Sequence, residues 1–302
     1  MLIYLHNIKF RLILLAGILS LNSVIYANDG IPTFNISIPR TTINVGEPLV
    51  GQLEFHFKEP QLSNKKEIIK QINAEHDLYF SIEKEDAAIY KGRYAYRVIL
   101  DLQDEAGLDY KGTFIIWYDV LGNKIFFDKP GEYTVRVGLA KELLSNPVKI
   151  TVKSENKKAQ EALQVLTERE DYLFLFVGLD ELPEKRAGIL ERVKKVLKQS
   201  EGTMLEKWSA ARLGVACFKD VRYGKEKEQS KIDEIHEYLN KGIELPDDFP
   251  DRDEVLYDLG SIEAMKGNKI RAETLWDEVV KKYPKGQFAR TVLEVRKQRV
   301  IK

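Results

Sequence analysis

The stretch from Leu256 to Pro284, LYDLGSIEAMKGNKIRAETLWDEVVKKYP, decides the fold of the second half of this 302-residue chain. Apolar residues recur at helical spacing on both sides of Gly267-Asn268, and Pro284 stands where a second helix must end. Gly suits the left-handed residue that closes one helix, and Asn is a common N-cap of the next. The stretch therefore predicts two antiparallel helices joined by a tight turn.

The same stretch resembles a tetratricopeptide repeat at six positions: Leu256, Leu259, Gly260, Ala272, Trp276 and Pro284. The resemblance implies that small residues at Gly260 and Ala272 face each other where the two helices approach closely. It also implies that Trp276 packs between repeats. The chain departs from the family at two positions, with Glu263 where an aromatic residue is usual and Val279 where Ala is usual.

A second, degenerate copy precedes this repeat, with Leu213-Gly214 in the place of Leu259-Gly260. The two Gly residues are 46 positions apart, against a family period of about 34, and polar loops account for the excess. A hairpin from Lys157 to Gln199 is expected before it, and a terminal capping helix from Gln287 to Val300. These elements predict a TPR-like all-α solenoid of helical hairpins, a class that usually binds a protein or peptide.

The first half of the chain reads as β-strands, because apolar side chains recur at every second position. Strands are predicted at Thr33–Ile38, Leu49–Phe57, Leu78–Ile82, Tyr96–Leu102, Thr113–Val120, Lys129–Val137 and Val148–Val152. The polar stretch from Glu59 to Glu75 fits either a long loop or a short helix.

Tyr133 follows the turn Lys129-Pro130-Gly131 and resembles the tyrosine corner of immunoglobulin-like β-sandwiches. The resemblance implies that the Tyr133 hydroxyl bonds back to the turn backbone. The first half is therefore similar to a bacterial secreted immunoglobulin-like domain, and the whole chain is predicted to be a multidomain β + α protein.

Trp117 and Tyr118 leave a choice open. Adjacent residues in a strand point to opposite faces, so only one of the pair can face solvent and offer a platform for a sugar. A buried Trp117 in the core of the sandwich is the favoured interpretation. A carbohydrate-binding or adhesive protein that acts through its β-sandwich remains the alternative function.

The N-terminus has the layout of a secretory signal peptide. Lys9 and Arg11 precede an apolar run, and Ile25 and Ala27 stand at the positions that a signal peptidase inspects. We expect cleavage after Ala27, no stable membrane span in the mature protein, and a periplasmic or secreted location.

The charge balance and the few Cys and His residues argue against several classes of function. The chain has 47 basic and 47 acidic residues, so it lacks the basic footprint of a nucleic-acid-binding protein. Cys217 is the only cysteine and lies in an apolar helical context, typical of a small core residue. The four His residues are scattered, and no metal, cofactor or catalytic motif is recognisable. The acidic run from Asp247 to Asp253 lacks the pattern of a calcium loop.

These observations predict a signal peptide at 1–27, an immunoglobulin-like β-sandwich at 28–153 and a TPR-like helical repeat domain at 154–302. We expect the two domains to fold separately, joined by a charged linker from Lys153 to Lys158. The predicted function is that of a non-enzymatic exported adaptor protein of the bacterial cell envelope. Its partner would be a protein or peptide on the helical repeat surface, with no nucleic acid, cofactor or metal. The sequence leaves its oligomeric state open.

Overall fold

A computed structural model describes residues 33–56, 78–85, 87–92, 96–100, 109–119, 124–139, 143–154, 157–178, 183–224, 229–247, 249, 251–284 and 286–300. The predicted signal peptide at 1–27 and the polar stretch from 59 to 75 lie outside these residues. The described chain is β-structured up to Lys153 and helical from Lys157 onward. A β + α fold class therefore holds.

The strands form two main sheets and a small third one. The strands are β1 Thr33–Ser37, β2 Thr42–Asn44, β3 Leu49–His56, β4 Leu78–Lys84, β5 Ala87–Gly92, β6 Tyr96–Leu100, β7 Asp109–Ile116, β8 Tyr118–Asp119, β9 Lys124–Ile125, β10 Gly131–Leu139, β11 Leu143–Leu144 and β12 Val148–Lys153. The first sheet has the order β1-β3-β7-β6 and the second the order β2-β12-β10-β4-β5, with β11 beside β10 and β8 paired with β9. Pairing is antiparallel in the first sheet, and β2 runs parallel to β12 in the second.

The inner faces of the two main sheets enclose one apolar core. Alternate residues of β3, β4 and β10 point into it, as the period of two requires. Leu49 and Leu53 from the first sheet and Ile82 from the second are fully buried there. The rings of Phe80 and Phe114 meet across the gap at 5.3 Å between centroids.

The second half of the described chain is a series of helices packed on their sequence neighbours. They are α1 Lys157–Leu163, α2 Arg169–Tyr172 with a π-helical turn Leu173–Val177, α3 Pro183–Gln199, α4 Met204–Arg222, α5 Gln229–Gly242, α6 Arg252–Met265, α7 Lys269–Lys282 and α8 Gln287–Val300. The apolar stripes bury as the helical period predicts: Ile189 and Val193 of α3, and Ile235 and Leu239 of α5, are nearly inaccessible.

The hairpin expected from Lys157 to Gln199 is wrong in one respect, because its first arm is broken. Asp171 is fully buried and its carboxylate accepts the backbone N–H groups of Thr167 and Glu168 at 3.0 and 3.1 Å. Those two hydrogen bonds cap the first turn of α2, so the chain between α1 and α2 is not helical. The π-helical turn then ends at Gly178, whose φ of +80° is accessible to glycine at little cost.

Trp117 lies where the β-structured and helical parts of the chain meet, and the prediction that it fills the core between the sheets is wrong. Strand β7 ends at Ile116, so Phe114 and Ile116 point into that core while Ile115 and Trp117 point to the outer face of the sheet. Ile115, Trp117 and Val50 belong instead to the apolar cluster of the helices. The boundary at Lys153 separates two kinds of secondary structure, yet a cut there would expose these side chains.

Candidate functional site

The predicted repeat positions come together between α6, α7 and α8. Leu256 and Leu259 are buried in the main helical core, and Ala272 and Trp276 form a smaller cluster with Val292 of α8. Pro284 follows the end of α7 and is exposed. Trp276 therefore lies between one helix pair and the helix after it.

The close approach at Gly260 involves the ring of Trp276. A Cβ atom built on Gly260 would lie 2.6 Å from Nε1 of Trp276, and the three atoms nearest to it all belong to that indole. No atom of Ala272 is among these three, so its expected position opposite Gly260 stays a prediction. The glycine makes room for the large ring of Trp276, whose Nε1 donates to the backbone carbonyl of Tyr257 at 3.3 Å.

The turn between α6 and α7 uses Gly267 and Asn268, and Asn268 is the N-cap residue of α7 as expected, although its side chain does not cap the helix. Gly267 has a φ of +85°, in the left-handed region that favours glycine. Asn268 precedes α7 without a capping hydrogen bond from its side chain. Its Nδ2 instead donates to Oε2 of Glu263 at 2.7 Å. The asparagine side chain therefore connects the turn, by a hydrogen bond, to the buried carboxylate of Glu263.

Glu263 is a departure from the repeat pattern whose structural role the sequence did not predict. Its side chain is fully buried, and Oε1 lies 2.8 Å from Nε2 of His236 on α5 and 3.0 Å from Nε of Arg271 on α7. Burial raises the pKa of this carboxylate, but the bonds from His236 and Asn268 and the charge of Arg271 outweigh it and hold the pKa below its usual value. Glu263 thus links α5, α6 and α7 at the position where the repeat family has an aromatic ring.

Two ion pairs connect α4 with α6 and with the residue that precedes it. Arg212 Nη1 lies 2.8 Å from Oδ2 of Asp251, and Arg222 binds the buried carboxylate of Asp258. Both members of the second pair lie further along their helices than those of the first, so α4 and α6 run parallel. Burial raises the pKa of Asp258 well above its usual range even though Arg222 opposes it.

The side of α4 that carries Trp208 and Arg212 is covered by another part of the chain. The π-helical turn packs on it, and the indole Nε1 of Trp208 donates to the carbonyl of Leu175 at 2.6 Å. Phe176 lies with its ring centroid 4.5 Å from that of Trp117, which in turn is 5.6 Å from Trp208. The guanidinium of Arg212 stacks on the same indole at 4.2 Å. An outside partner therefore finds this part of α4 occupied.

The adjoining surface of α6 is partly accessible. Four of its residues at spacings of three and four share one face: Glu254, Tyr257, Ser261 and Met265. Met265 is 55% exposed, and on the neighbouring end of α4 Tyr223 is 71% exposed. We name Tyr257, Ser261 and Met265, with Phe288 and Val295 of α8, the α6 face.

A small pocket opens beside this face between α6, α7 and α8. It has a volume of about 50 Å³ and is lined by Tyr257, Trp276, Val292, Val295 and Arg296. The ring of Tyr257 also packs against that of Phe288, with 5.2 Å between the ring centroids. The guanidinium of Arg296 is engaged by Glu273 and Asp277 of α7 at 2.7 and 2.8 Å. The pocket thus offers mainly apolar surface.

The structure assembles no reactive group at the positions considered for chemistry. Burial raises the pKa of Cys217 to about 11, which disfavours a thiolate. Within the acidic run, Asp247 pairs with Lys282 and Asp251 with Arg212. Among the residues that the structure describes, no group of three His, Cys, Asp or Glu side chains is placed to hold a metal ion.

In the β-structured region, Tyr133 is 2% exposed and its hydroxyl donates to the carbonyl of Lys129 at 2.7 Å. Burial raises the pKa of this hydroxyl. The bond fixes the Pro-Gly turn against the start of β10. Trp117 is also 2% exposed, so its ring is not available as a platform for a sugar.

Comparison with known proteins leaves the chain without an assigned family. No protein-family description matches it, and no curated protein matches it. One solved structure that it resembles is a polysaccharide lyase, with a TM-score of 0.19 and 7% identity over 87% of this chain. The match spans 47% of the lyase chain, about half its length, and a TM-score this low carries no argument about fold or function. Within the described residues, no helix has the length and hydropathy needed to cross a bilayer.

Proposed function

We propose that this protein is a non-enzymatic, exported adaptor of the bacterial cell envelope that binds a protein or peptide through its helical region. In this proposal the helices are a TPR-like array and the β-structured region is an immunoglobulin-like sandwich that acts as a spacer or a second interaction module. The mature protein is periplasmic or secreted.

The open α6 face is the observation that carries the proposal. Large apolar side chains on a helix are normally buried against a neighbour, and contiguous exposed ones mark interaction surfaces. Met265 is exposed on the face of α6 that also carries Tyr257 and Ser261, and Tyr257 lines an apolar pocket. Methionine is common on surfaces that bind peptides because its flexible side chain adapts to the partner.

The contacts of the repeat positions support the finer assignment of the helices. Gly260 accommodates Trp276 within one helix pair, Val292 of the next helix packs on that ring, and α4 runs parallel to α6. The hydrogen bond from Tyr133 to Lys129 supports the finer assignment of the β-structured region.

Capture of a partner tests the binding function. The mature chain beginning at Asn28 is immobilised and exposed to an envelope extract of the native host. We expect a protein that is retained by the natural chain and lost with Met265→Lys. Ile270→Lys serves as the matched control, because Ile270 is 88% exposed on α7 and lies outside the α6 face. Equal capture by both variants would refute the proposed surface.

Export is tested separately, by N-terminal sequencing of the protein purified from its native host. We expect the sequence to begin at Asn28. A protein that begins at Met1 would contradict the proposed location.

A further inference from the structure

The chain itself contains a segment that docks on this side of the helices. Phe174, Leu175 and Phe176 in the π-helical turn are 2%, 0% and 6% exposed. The segment is held on α4 by a main-chain carbonyl that accepts from Trp208, and by aromatic contacts. Its chemistry is apolar and aromatic, and its backbone is not a regular α-helix.

The covered side of α4 continues into the open α6 face. Trp208, Arg212 and Arg222 share one side of α4, because Arg212 and Arg222 follow Trp208 by four and fourteen residues, close to one and four full turns of the helix. Arg212 touches the end of the internal segment at Gly178 and also pairs with Asp251 at the start of α6. Further along, Arg222 binds Asp258 and lies 5.6 Å from the ring of Tyr257. The internal segment therefore occupies the first part of a surface whose second part leaves Met265 exposed and Tyr257 and Ser261 partly exposed.

Three arginine side chains along this surface are already paired within the chain. Arg212 is paired with Asp251 and Arg222 with Asp258. At the pocket, Arg296 is paired with Glu273 and Asp277. A strongly acidic or basic partner would have to break these pairs or leave its own charges unmatched, which is unfavourable in a desolvated interface. Charge complementarity therefore favours an uncharged segment.

The pocket limits which side chains can enter. Its volume of about 50 Å³ is a third of the roughly 150 Å³ cavity that accommodates benzene in an engineered protein. It has room for a branched aliphatic group but not for an aromatic ring. The adjoining rings of Tyr257 and Phe288 offer an edge on which an aromatic side chain can pack outside the pocket.

We propose that the α6 face binds a short, uncharged segment of another polypeptide that carries one aromatic and one branched aliphatic side chain, like the internal Phe174-Leu175-Phe176. The aliphatic side chain enters the pocket, and the aromatic one packs between Tyr257 and Met265. This inference rests on the proposed function and names the chemistry of its partner.

A synthetic peptide with the sequence of Asp171 to Gly178, DYLFLFVG, tests the inference when it is linked to fluorescein through a soluble spacer. Fluorescence anisotropy measures its binding to the mature chain. Burial of one large apolar side chain contributes about 1.5–3 kcal/mol, so Met265→Lys and Val295→Lys should each weaken binding about tenfold or more. Ile270→Lys should leave the affinity unchanged. A peptide with Ser at the four apolar positions 173 to 176 should not bind.

Two outcomes overturn the inference and leave the proposed function intact. In one, the peptide does not bind, or binds with equal affinity to Met265→Lys, while a protein from the extract is still captured through Met265. In the other, sedimentation velocity shows a dimer that Met265→Lys abolishes, which would make a second copy of this chain the occupant. If neither the peptide nor any extract protein depends on Met265, the proposed function fails as well.

Discussion

Helices α4 and α6 run parallel, occupy corresponding places in successive helix pairs, and differ in what covers them. On α4, Trp208 and Arg212 lie beneath the π-helical turn and against Trp117. On α6, Met265 and part of Tyr257 remain accessible. The chain closes one surface with its own apolar segment and leaves part of the adjoining surface accessible, and this accessible part is the surface that we propose binds a partner.

Loss of the Trp117 side chain should lower the stability of the chain more than the other substitutions below, because its ring packs the first sheet against the covered side of α4. Trp→Ala substitutions in cores cost about 3–5 kcal/mol. We expect Trp117→Ala to lower the free energy of unfolding of the mature chain by this amount and to split its urea transition, followed by circular dichroism, into two steps. Tyr223→Ala on the exposed end of α4 should change stability by less than about 0.5 kcal/mol. A single, unshifted transition for Trp117→Ala would contradict the closed junction.

Ala272 tests the packing that holds α6, α7 and α8 in place beneath the open face. Ala272 is 1% exposed beside Trp276 and Val292. Extra volume there forces helices apart or strains rotamers, so Ala272→Leu should cost about 1–3 kcal/mol and lower the melting temperature by several degrees. Lys281→Leu, on the exposed side of α7, is the control. If the two variants melt alike, the packing of α7 described here is wrong.

The buried carboxylate of Glu263 should stabilise the helix pairs in a pH-dependent way. Because its pKa in the folded chain is below the unfolded value, its contribution is present above about pH 4.5 and is lost as pH falls through the folded pKa. Glu263→Gln should cost about 1–3 kcal/mol at pH 7, and the difference should shrink below pH 4. Glu237→Gln, at an exposed position on α5, should show neither effect in thermal melts at the two pH values.

Asp253, in the first turn of α6, should behave in the opposite way. Burial raises its pKa to about 6, so the ionised form destabilises the folded chain at neutral pH, and that penalty disappears as pH falls from about 6 towards 4. We expect Asp253→Asn to raise stability by about 1 kcal/mol at pH 7.5, because each unit of pKa shift corresponds to about 1.4 kcal/mol and the helix dipole offsets part of it. The stability of Asp253→Asn minus that of the natural chain should be larger at pH 7.5 than at pH 5. A larger difference at pH 5 would contradict the prediction.

The sequence predicts the parts of the fold that repeat with a regular period. The alternation from Leu49 predicts a strand to Phe57, and β3 extends to His56, the last described residue there. The spacing from Leu256 to Pro284 likewise predicts α6, its turn and α7. In each case apolar residues on one face of the element, such as Leu49 and Leu53 of β3 or Leu256 and Leu259 of α6, are buried, so the period is visible in the sequence.

The features that the sequence does not predict depend on contacts between distant residues. Trp117 continues the alternation of β7, and nothing local indicates that helices cover that face of the sheet. The run Leu173 to Val177 is apolar throughout, so it has no period from which a π-helical turn could be recognised. Glu263 is tolerated in the core because His236 and Arg271 reach it, and one of these partners lies 27 residues earlier in the chain. The candidate site depends on these same contacts, so the sequence predicts a binding surface but not its boundaries.

Hydrogen exchange of the mature chain, with and without the DYLFLFVG peptide, tests the central claim most directly. We expect slower exchange of amides in α6 and α8 around Ser261 and Val295 on binding, with no change in α4 around Trp208, where the internal segment already lies. Slower exchange confined to α4, or to the β-structured region, would contradict the claim that α6 presents the open part of this surface.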